Sequence, residues 1–238
     1  MTLLDGIGAS EVGVIGGVEL PSLLAKATAL WRVTQYGGSG VISDETGNGY
    51  NLTRNGTTTV QSDPARIRLD GGSSTSLTTA TAVANITTGP YTIIAVINPL
   101  SDQSTYRQIM GTSNAYPNGY GLWRNTTTGA LAYRSYSYLG DGTDVGTVFA
   151  TSQLRAGGSD PIALAGVRYD PTTIRHYRDG VLYNSDTTLT GEVDITDNAT
   201  MRICYQFHAD FYGAAIFTND ALTTTEIDAV VSHLLSES

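Results

Sequence analysis

The sequence predicts an all-β protein, a mostly antiparallel β-sandwich of about a dozen strands closed by one C-terminal helix. From Trp31 to Phe217, short apolar or alternating runs are separated by turn-forming clusters of Gly, Asn, Asp and Pro. The chain has 34 Thr and only 15% charged residues, and Thr favours pleated surfaces. A clear pattern of helical period occurs only near the C-terminus. These observations predict one folded domain, residues 31–238, preceded by an arm.

The strands are inferred from the apolar runs and the turns between them. The clearest are Tyr91–Ile97, Tyr120–Arg124, Ala130–Tyr138, Ile162–Tyr169, Ile174–Arg178, Val181–Asn184, Thr200–Tyr205 and Phe211–Phe217. Tyr91–Ile97 is apolar almost throughout, which is typical of a central strand covered on both faces. Asp179-Gly180 predicts a two-residue hairpin, because a type I′ turn needs positive φ at both positions. Two packed sheets would supply both fully covered and half-exposed strands.

The last element is predicted as a helix over residues 223–235. Thr223 lies three residues before Glu226, which is the spacing of a capping box. Apolar residues then follow at helical spacing, at Ile227, Val230, Val231, Leu234 and Leu235. This helix is expected to pack its one apolar face against the sandwich.

Residues 1–30 differ from the rest of the chain and are interpreted as an N-terminal arm or docking segment. They are small and apolar, with few aromatic residues. A short helix beginning near Pro21 and a strand-like edge of the main domain are both open interpretations of this segment.

Composition and charge exclude several classes of protein. No apolar run approaches the ~18 residues needed to cross a bilayer, and the first residues lack the basic region of a secretory signal. We therefore expect synthesis in a cytoplasm without export by the general secretory route, and no membrane partner. The net charge of −9 without a basic stripe disfavours nucleic acid as a partner. The single Cys204 excludes an intrachain disulfide.

The order of several sequence landmarks resembles the concanavalin A-like lectin/glucanase superfamily, in its laminin G-like jelly-roll branch. The landmarks are Asp44–Leu52, Ile67–Gly71, Tyr91–Ile97, Ile162–Asp170 with Ile174–Val181, and Tyr212–Phe217 followed by Asp220–Leu222 and Thr225–Ile227. The resemblance implies a two-sheet antiparallel jelly roll that binds carbohydrate or another protein on a sheet face or at loop rims, sometimes with Ca²⁺. A fold of this kind does not by itself fix a function.

Aromatic residues are concentrated between residues 106 and 138 and mark a candidate ligand-binding surface. Arg134, Tyr136 and Tyr138 share one parity in their predicted strand, so they would form an exposed platform if Leu131 and Tyr133 face the core. The candidate ligand-binding residues are Trp123, Arg134, Tyr136, Tyr138, Tyr205 and Tyr212, the last two from a weaker cluster that also contains His208 and Asp210. The alternative is that these tyrosines line an ordinary sandwich surface or an oligomer contact.

Asp44, Asn48 and Asp70 are the candidate ligands for Ca²⁺, the one possible cofactor. They lie in two turns that the resembling family places close together, and Ca²⁺ prefers several loop oxygens. The alternative is that they are turn-forming residues bonded to their own backbone.

The sequence predicts a protein without catalytic activity. Hydrolysis of a glycosidic bond requires two facing carboxylates, and only Glu192 has an Asp at useful spacing, Asp194. His176, His208 and His233 are widely separated and are interpreted as surface or packing residues. A glycan-degrading enzyme remains the less favoured alternative.

These features lead to the expectation of a bacteriophage virion protein of the minor tail or receptor-binding type. The arm would dock it to other virion proteins, and the lectin-like sandwich would bind host cell-surface polysaccharide or neighbouring subunits. Homo-oligomerisation is expected for such a part. The alternative is a capsid or tail decoration protein with a purely structural role and no ligand.

Overall fold

The computed structural model describes residues 14–15, 17–36, 40–62, 64–83, 89–100, 107–112, 118–126, 133–141, 145–153, 160–187 and 200–236. For residues 14–15, 34–36, 118–119, 124–126, 133–141 and 145–153 the description covers the backbone only. Eighteen strands and two helices lie in these ranges. Sixteen of the strands form one continuous antiparallel sheet that folds into two layers, which confirms the predicted all-β sandwich.

The layer without helices is here called the front sheet. In spatial order its strands are β13 (Val145–Gln153), β12 (Tyr133–Asp141), β11 (Asn118–Thr126), β10 (Arg107–Thr112), β17 (Thr200–Tyr205), β8 (Ser76–Ala82) and β5 (Leu52–Asn55). The short strand β4 (Val41–Asp44) connects the two layers. It pairs with β5 on one side and with β3 (Ala29–Tyr36) of the other layer on the other side.

The other layer is here called the back sheet. Its strands are β3 (Ala29–Tyr36), β18 (His208–Phe217), β9 (Tyr91–Pro99), β14 (Ile162–Asp170), β15 (Thr173–Arg178) and β16 (Val181–Asp186), with β7 (Ala65–Asp70) on β18 and β6 (Thr58–Ser62) on β7. Strands β1 (Val14–Ile15) and β2 (Val18–Glu19) pair with each other and form a separate two-stranded antiparallel sheet. The predicted strands are thus present, with boundaries shifted by a few residues.

The main core lies between the two sheets. Strand β9 shows the arrangement, because Ile93, Ala95 and Ile97 point into this core while Ile94 and Val96 point away from it. All nine residues of β9 are buried, which confirms the prediction of a central strand covered on both faces.

A second core covers the outer face of the back sheet. Helix α2 (Thr224–Leu235) packs Ile227 and Val230 against β9 and β18, and the Thr223–Glu226 capping box is formed as predicted. Leu235 departs from the predicted apolar stripe, because 41% of its surface is exposed. None of the helices in the described ranges is long and apolar enough to span a membrane.

The described part of the N-terminal segment belongs to the packed body. Helix α1 (Leu20–Leu24) has Pro21 in its first turn, and β3 begins at Ala29, inside the segment interpreted as an arm. Leu23, Ala27 and Leu30 are buried in the second core. Both open interpretations are therefore correct for part of the segment, since a short helix is followed by a strand. The docking role of residues 1–30 stays a prediction, and residues 1–13 lie outside the described ranges.

The β15–β16 hairpin forms at the predicted dipeptide. Asp179 and Gly180 have φ of +48° and +73°, and Arg178 pairs with Val181 across the turn. The Asp179 carboxylate also accepts a bond of 2.9 Å from the backbone N–H of Ala163, so the hairpin is tied to β14.

Candidate ligand-binding face

The outer face of the front sheet carries a transverse row of aromatic and amide residues, here called the aromatic row. Across five neighbouring strands, β17, β10, β11, β12 and β13, the backbone register places in line Tyr205, Gln108, Trp123, Tyr136 and Phe149. Residues directly opposite each other in an antiparallel pair share a face of the sheet. Leu122, the neighbour of Trp123, is buried in the main core, so the row lies on the outer face.

A second row runs parallel to the first, two residues along β11, β12 and β13 and three residues along β10 and β17. The register aligns Arg202, Gly111, Gly121, Tyr138 and Thr147. Gly111 and Gly121 therefore face each other across β10 and β11 and are here called the glycine pair. Their backbones approach so closely that a Cβ on Gly121 would lie 2.9 Å from Cα of Gly111 and 2.5 Å from the carbonyl oxygen of Met110.

The glycine pair lets two side chains of the aromatic row fold down onto the sheet. The indole Nε1 of Trp123 lies 3.1 Å from the position that a Cβ of Gly121 would take, and Nε2 of Gln108 lies 2.8 Å from the corresponding position at Gly111. Gln108 donates from Nε2 to the carbonyl oxygen of Thr112 at 2.7 Å. Trp123 thus lies over a strip of bare backbone and remains half-exposed.

The opposite end of the row combines an arginine with a tyrosine. The Arg202 guanidinium carbon lies 4.8 Å from the centre of the Tyr205 ring, within the range of a cation–π contact. Gln206 donates from Nε2 to the Tyr205 hydroxyl at 3.1 Å and to the carbonyl oxygen of Ser73 at 3.0 Å. Tyr205 is therefore held in place while both it and Arg202 stay half-exposed.

Five of the six candidate ligand-binding residues fall on this one face. Trp123, Arg134, Tyr136 and Tyr138 occupy neighbouring positions by register, with Arg134 opposite Asn125, and Tyr205 joins them from β17. That the face binds a ligand stays a prediction. The side chains of Arg134, Tyr136 and Tyr138 are not described.

Tyr212 does not lie with the others. It belongs to the second core under the helix layer and is only 5% exposed, and burial is the first cause that raises its pKa. The chain reverses between β17 and β18, where Cys204 and Gln206 both have positive φ, so Tyr205 and Tyr212 end on different sheets. The weaker cluster is therefore divided between the two sheets, with Tyr205 on β17 and the other three residues on β18.

Asp210 of that cluster is buried and bonded to two arginines, Arg66 and Arg68. Its carboxylate, 2% exposed, accepts bonds from Nε of Arg66 at 3.2 Å and from Nε and Nη2 of Arg68 at 2.8 and 2.9 Å. Such charged partners compensate for the cost of taking the carboxylate out of water. His208 is paired with Asp70 across β18 and β7.

The three residues proposed as calcium ligands do not converge. Asp44 pairs with Trp31 of β3, and Trp31 pairs in turn with Ala214 of β18. Asp70 pairs with His208 of the same strand β18. Asp44 and Asp70 are therefore aligned with positions of β18 that are six residues apart. Six residues along a strand correspond to roughly 20 Å. Across the described ranges, no group of three or more His, Cys, Asp or Glu side chains is arranged to hold a metal ion.

The hydrogen bonds of Asp44 explain its burial without a metal. Its carboxylate accepts the backbone N–H groups of Leu30, Thr46 and Tyr50 and the Thr46 hydroxyl, at 2.8 to 3.2 Å. Asn48 donates from Nδ2 to the carbonyl oxygen of Thr28 at 3.0 Å. These residues do not fit a calcium site, and Asp44 acts as the turn-forming residue of the alternative interpretation.

The histidines that the structure describes in detail have packing roles. His176 is fully buried, and burial lowers its pKa to about 3. His233 of α2 contacts the Glu45 carboxylate at 3.1 Å, and Arg32 donates to the same carboxylate at 2.7 Å. The carboxylates Glu192 and Asp194 lie outside the described residues.

Gln108, Arg202 and the glycine pair were not identified from the sequence. Each is unremarkable in its own strand, and they meet only because β10, β11 and β17 are neighbours in the sheet. Residue 111 and residue 202 are 91 positions apart in the chain, so no local motif could indicate that they share a row. The one available signal is the cation–π partner Tyr205, which the sequence did mark.

The fold is shared with several solved structures. Domain 4 of an extracellular GH43 arabinanase from Geobacillus stearothermophilus, in complex with arabinotriose, is 17% identical at a TM-score of 0.64, covering 86% of this chain and 97% of that one. The binding domain of Paraclostridial Mosquitocidal Protein 1 is 14% identical at a TM-score of 0.62, with 86% and 51% covered. The ligand-binding domain of botulinum neurotoxin serotype D, in complex with N-acetylneuraminic acid, is 12% identical at a TM-score of 0.63, with 90% and 52% covered.

These likenesses establish the class of fold, an all-β sandwich. The chain spans nearly all of the arabinanase domain and about half of each toxin binding domain. No protein-family model and no curated protein matches the chain.

Proposed function

We propose that this chain is a non-enzymatic, glycan-binding part of a bacteriophage virion, and that the outer face of its front sheet contacts host cell-surface polysaccharide. The observation that carries the binding proposal is the aromatic row above the glycine pair. It places a half-exposed Trp123 and a half-exposed Tyr205 in line on one face, on either side of the buried Gln108.

This arrangement suits a chain of sugar rings. Aromatic rings supply large flat apolar surfaces with polar edges, and a guanidinium group such as that of Arg202 supplies donors for hydroxyl oxygens. The row crosses five strands, a width of roughly 19 Å, so an extended oligosaccharide could contact several of its members at once. The fold relatives include domains whose structures hold arabinotriose and N-acetylneuraminic acid.

The virion assignment is supported by the sequence resemblance and by the apolar N-terminal segment. In this proposal the N-terminal segment, residues 1–30, contacts other virion proteins, although Leu23, Ala27 and Leu30 within it are buried in the second core. The chain would be made in a host cytoplasm and act on an extracellular particle, as a homo-oligomer.

The test of glycan binding uses Trp123 as both target and reporter. The chain has two tryptophans, and Trp31 is fully buried, so ligand-dependent changes in fluorescence and iodide quenching report on Trp123. We expect purified protein to be retained by cell-wall polysaccharide from bacterial hosts and to show protection of Trp123 from iodide. Trp123→Ala should abolish retention, and circular dichroism and the urea midpoint verify that the variant remains folded.

The matched control is Tyr183→Ala, which removes an aromatic side chain 39% exposed on β16 of the back sheet. It should leave retention unchanged. Equal loss in both variants would contradict the assignment of the front face. If folded wild-type protein is retained by no wall fraction, the front face is a contact between virion subunits, and Trp123→Ala should then impair assembly.

A further inference from the structure

The aromatic row runs across the strands of the front sheet, and this direction sets the spacing between its rings. Trp123 of β11 and Tyr205 of β17 lie on either side of β10, at positions that the register aligns with Gln108. Because neighbouring strands are about 4.8 Å apart, the backbones that carry the two rings are separated by roughly 10 Å. A ligand that contacts both rings must therefore extend across β10.

Neither of these two strands continues the row along its own length. The other aromatic residue of β11, Tyr120, is buried in the main core, and β17 contains no aromatic residue besides Tyr205. The residue two positions before Trp123 is Gly121, whose lack of a side chain leaves room for the indole. Trp123 and Tyr205 can therefore share one ligand only if the ligand crosses the strands.

The position between the two rings offers no ring of its own. Gln108 is only 3% exposed, and its Nε2 donates to the carbonyl oxygen of Thr112 at 2.7 Å. The amide is thus turned down onto the sheet between Trp123 and Tyr205. A ligand that follows the row meets a ring at β11, none at β10 and a second ring at β17.

The Tyr205 ring has one face available for stacking. The Arg202 guanidinium lies over the ring, with its carbon 4.8 Å from the ring centre, so a flat ligand can stack only on the opposite face. Gln206 donates to the Tyr205 hydroxyl and restrains the ring. The N–H groups of Arg202 lie beside this surface and can donate to hydroxyl oxygens of a ligand.

One class of glycan repeats with the same spacing as the strands. In an extended chain of pyranose rings joined by equatorial 1,4 linkages, each ring advances the chain by about the distance between neighbouring β-strands, and successive rings are turned over. Every second ring therefore presents the same face to a flat surface, at about twice that distance. An α-1,4-linked chain curves instead, so its alternate rings do not stay in line.

We propose that the ligand of the front face is a β-1,4-linked glycan lying across the strands, with one sugar on Trp123, the next above Gln108 and the third on Tyr205. This inference rests on the proposed glycan-binding function. By register, Tyr136 and Phe149 continue the row on β12 and β13, so a longer chain has further aromatic positions beside it.

The first experiment varies the linkage and the length of the ligand, using the full chain. Calorimetry measures binding of β-1,4-linked oligomers of glucose and of N-acetylglucosamine, each with two to six sugars. We expect at least one series to bind, with affinity rising by about twofold to tenfold between two and three sugars, because the third sugar reaches the second ring. The matched control is the α-1,4-linked glucose series, which differs from its β counterpart only in linkage and should show no such rise.

Two variants of Tyr205 test whether the second ring causes the rise. Tyr205→Ala should bind the disaccharide as the wild type does and lose the rise at three sugars. Tyr205→Phe keeps the ring but lacks the hydroxyl that accepts the bond from Gln206, and it should keep the rise. Far-ultraviolet circular dichroism and the urea midpoint verify that each variant is folded.

The outcomes separate the two proposals. Retention by wall polysaccharide without binding of either β-linked series would overturn this inference and leave the proposed function intact. An equal rise in the α-linked series, or a rise that persists in Tyr205→Ala, would overturn it as well. Failure of every wall fraction and every oligosaccharide to bind would overturn the proposed function itself, and this inference with it.

Discussion

The two sheets differ in how many of their faces are covered. Every residue of β9 in the back sheet is buried, because the main core lies on one side and helix α2 on the other. In the front sheet, burial alternates along β17, where Met201 and Ile203 are buried and Arg202 is half-exposed. A strand covered on both faces is constrained to apolar residues at every position, whereas a strand covered on one face is constrained only at alternate positions. The front sheet can therefore carry aromatic and charged residues at positions that stability does not constrain.

The largest expected effect tests the covered face of the back sheet. Ile94→Ala removes a fully buried side chain beneath the helix layer and should lower the free energy of unfolding by about 2 to 5 kcal/mol. Thr53→Ala removes an exposed side chain from β5 of the front sheet and should change it by less than about 0.5 kcal/mol. Urea denaturation measures both. A similar cost at the two positions would contradict the comparison.

The next effect concerns the buried imidazole of the back sheet. Burial lowers the pKa of His176 in the folded protein to about 3, against about 6.5 in an unfolded chain. Between these values the unfolded state binds a proton that the folded state does not, so stability falls as the pH is lowered. From pH 7 to pH 5 this one group should cost about 2 kcal/mol.

His176→Gln removes this titration, and the difference from wild type isolates it from other groups. Unfolding free energies of the two proteins should be compared at pH 7, 6 and 5. If their dependence on pH is identical, His176 does not differ in protonation between the folded and unfolded states.

The smallest effect concerns the contact that joins helix α2 to the back sheet. Although burial opposes ionisation, hydrogen bonds from His233 and Arg32 keep the pKa of Glu45 below its ordinary value. The carboxylate therefore stabilises the fold above its unfolded-state pKa of about 4.3, and this contribution is lost as the pH falls through the folded-state pKa. Glu45→Gln should cost about 1 to 2 kcal/mol at pH 7.

Hydrogen exchange provides the measurement for this contact. In Glu45→Gln, amides of the last turn of α2 should exchange faster, while amides of β10 and β11 keep their protection. Unchanged protection of α2 would show that the apolar contacts of Ile227, Val230 and Leu234 suffice to hold the helix.

Features predicted correctly from the sequence depend on residues close together in the chain. The Asp179-Gly180 hairpin requires positive φ at two adjacent positions, and the Thr223–Glu226 box requires two side chains three residues apart. Alternating parity likewise placed Tyr136 and Tyr138 on one face of β12. Local geometry is enough to determine each of these.

Features that sequence analysis missed depend on which strands become neighbours. Tyr205 and Tyr212 are seven positions apart but lie on different sheets, because the turn at Cys204 and Gln206 redirects the chain. Asp44 and Asp70 are both turn residues, yet the sheet register separates them along β18. Strand order is settled by the burial of the whole chain and has no local signature.

The sequence by itself determined that this protein is an all-β sandwich with a capped C-terminal helix. Apolar periodicity and turn chemistry depend only on residues that are close together in the chain. The tertiary structure decided that residues 17–30 are part of the body and that Gln108 and Arg202 stand beside Trp123 and Tyr205. It also decided that Gly121 of the glycine pair lies beneath the Trp123 indole. The physical reason is that pairing between strands joins residues far apart in the chain, and only the complete fold fixes which pairs form.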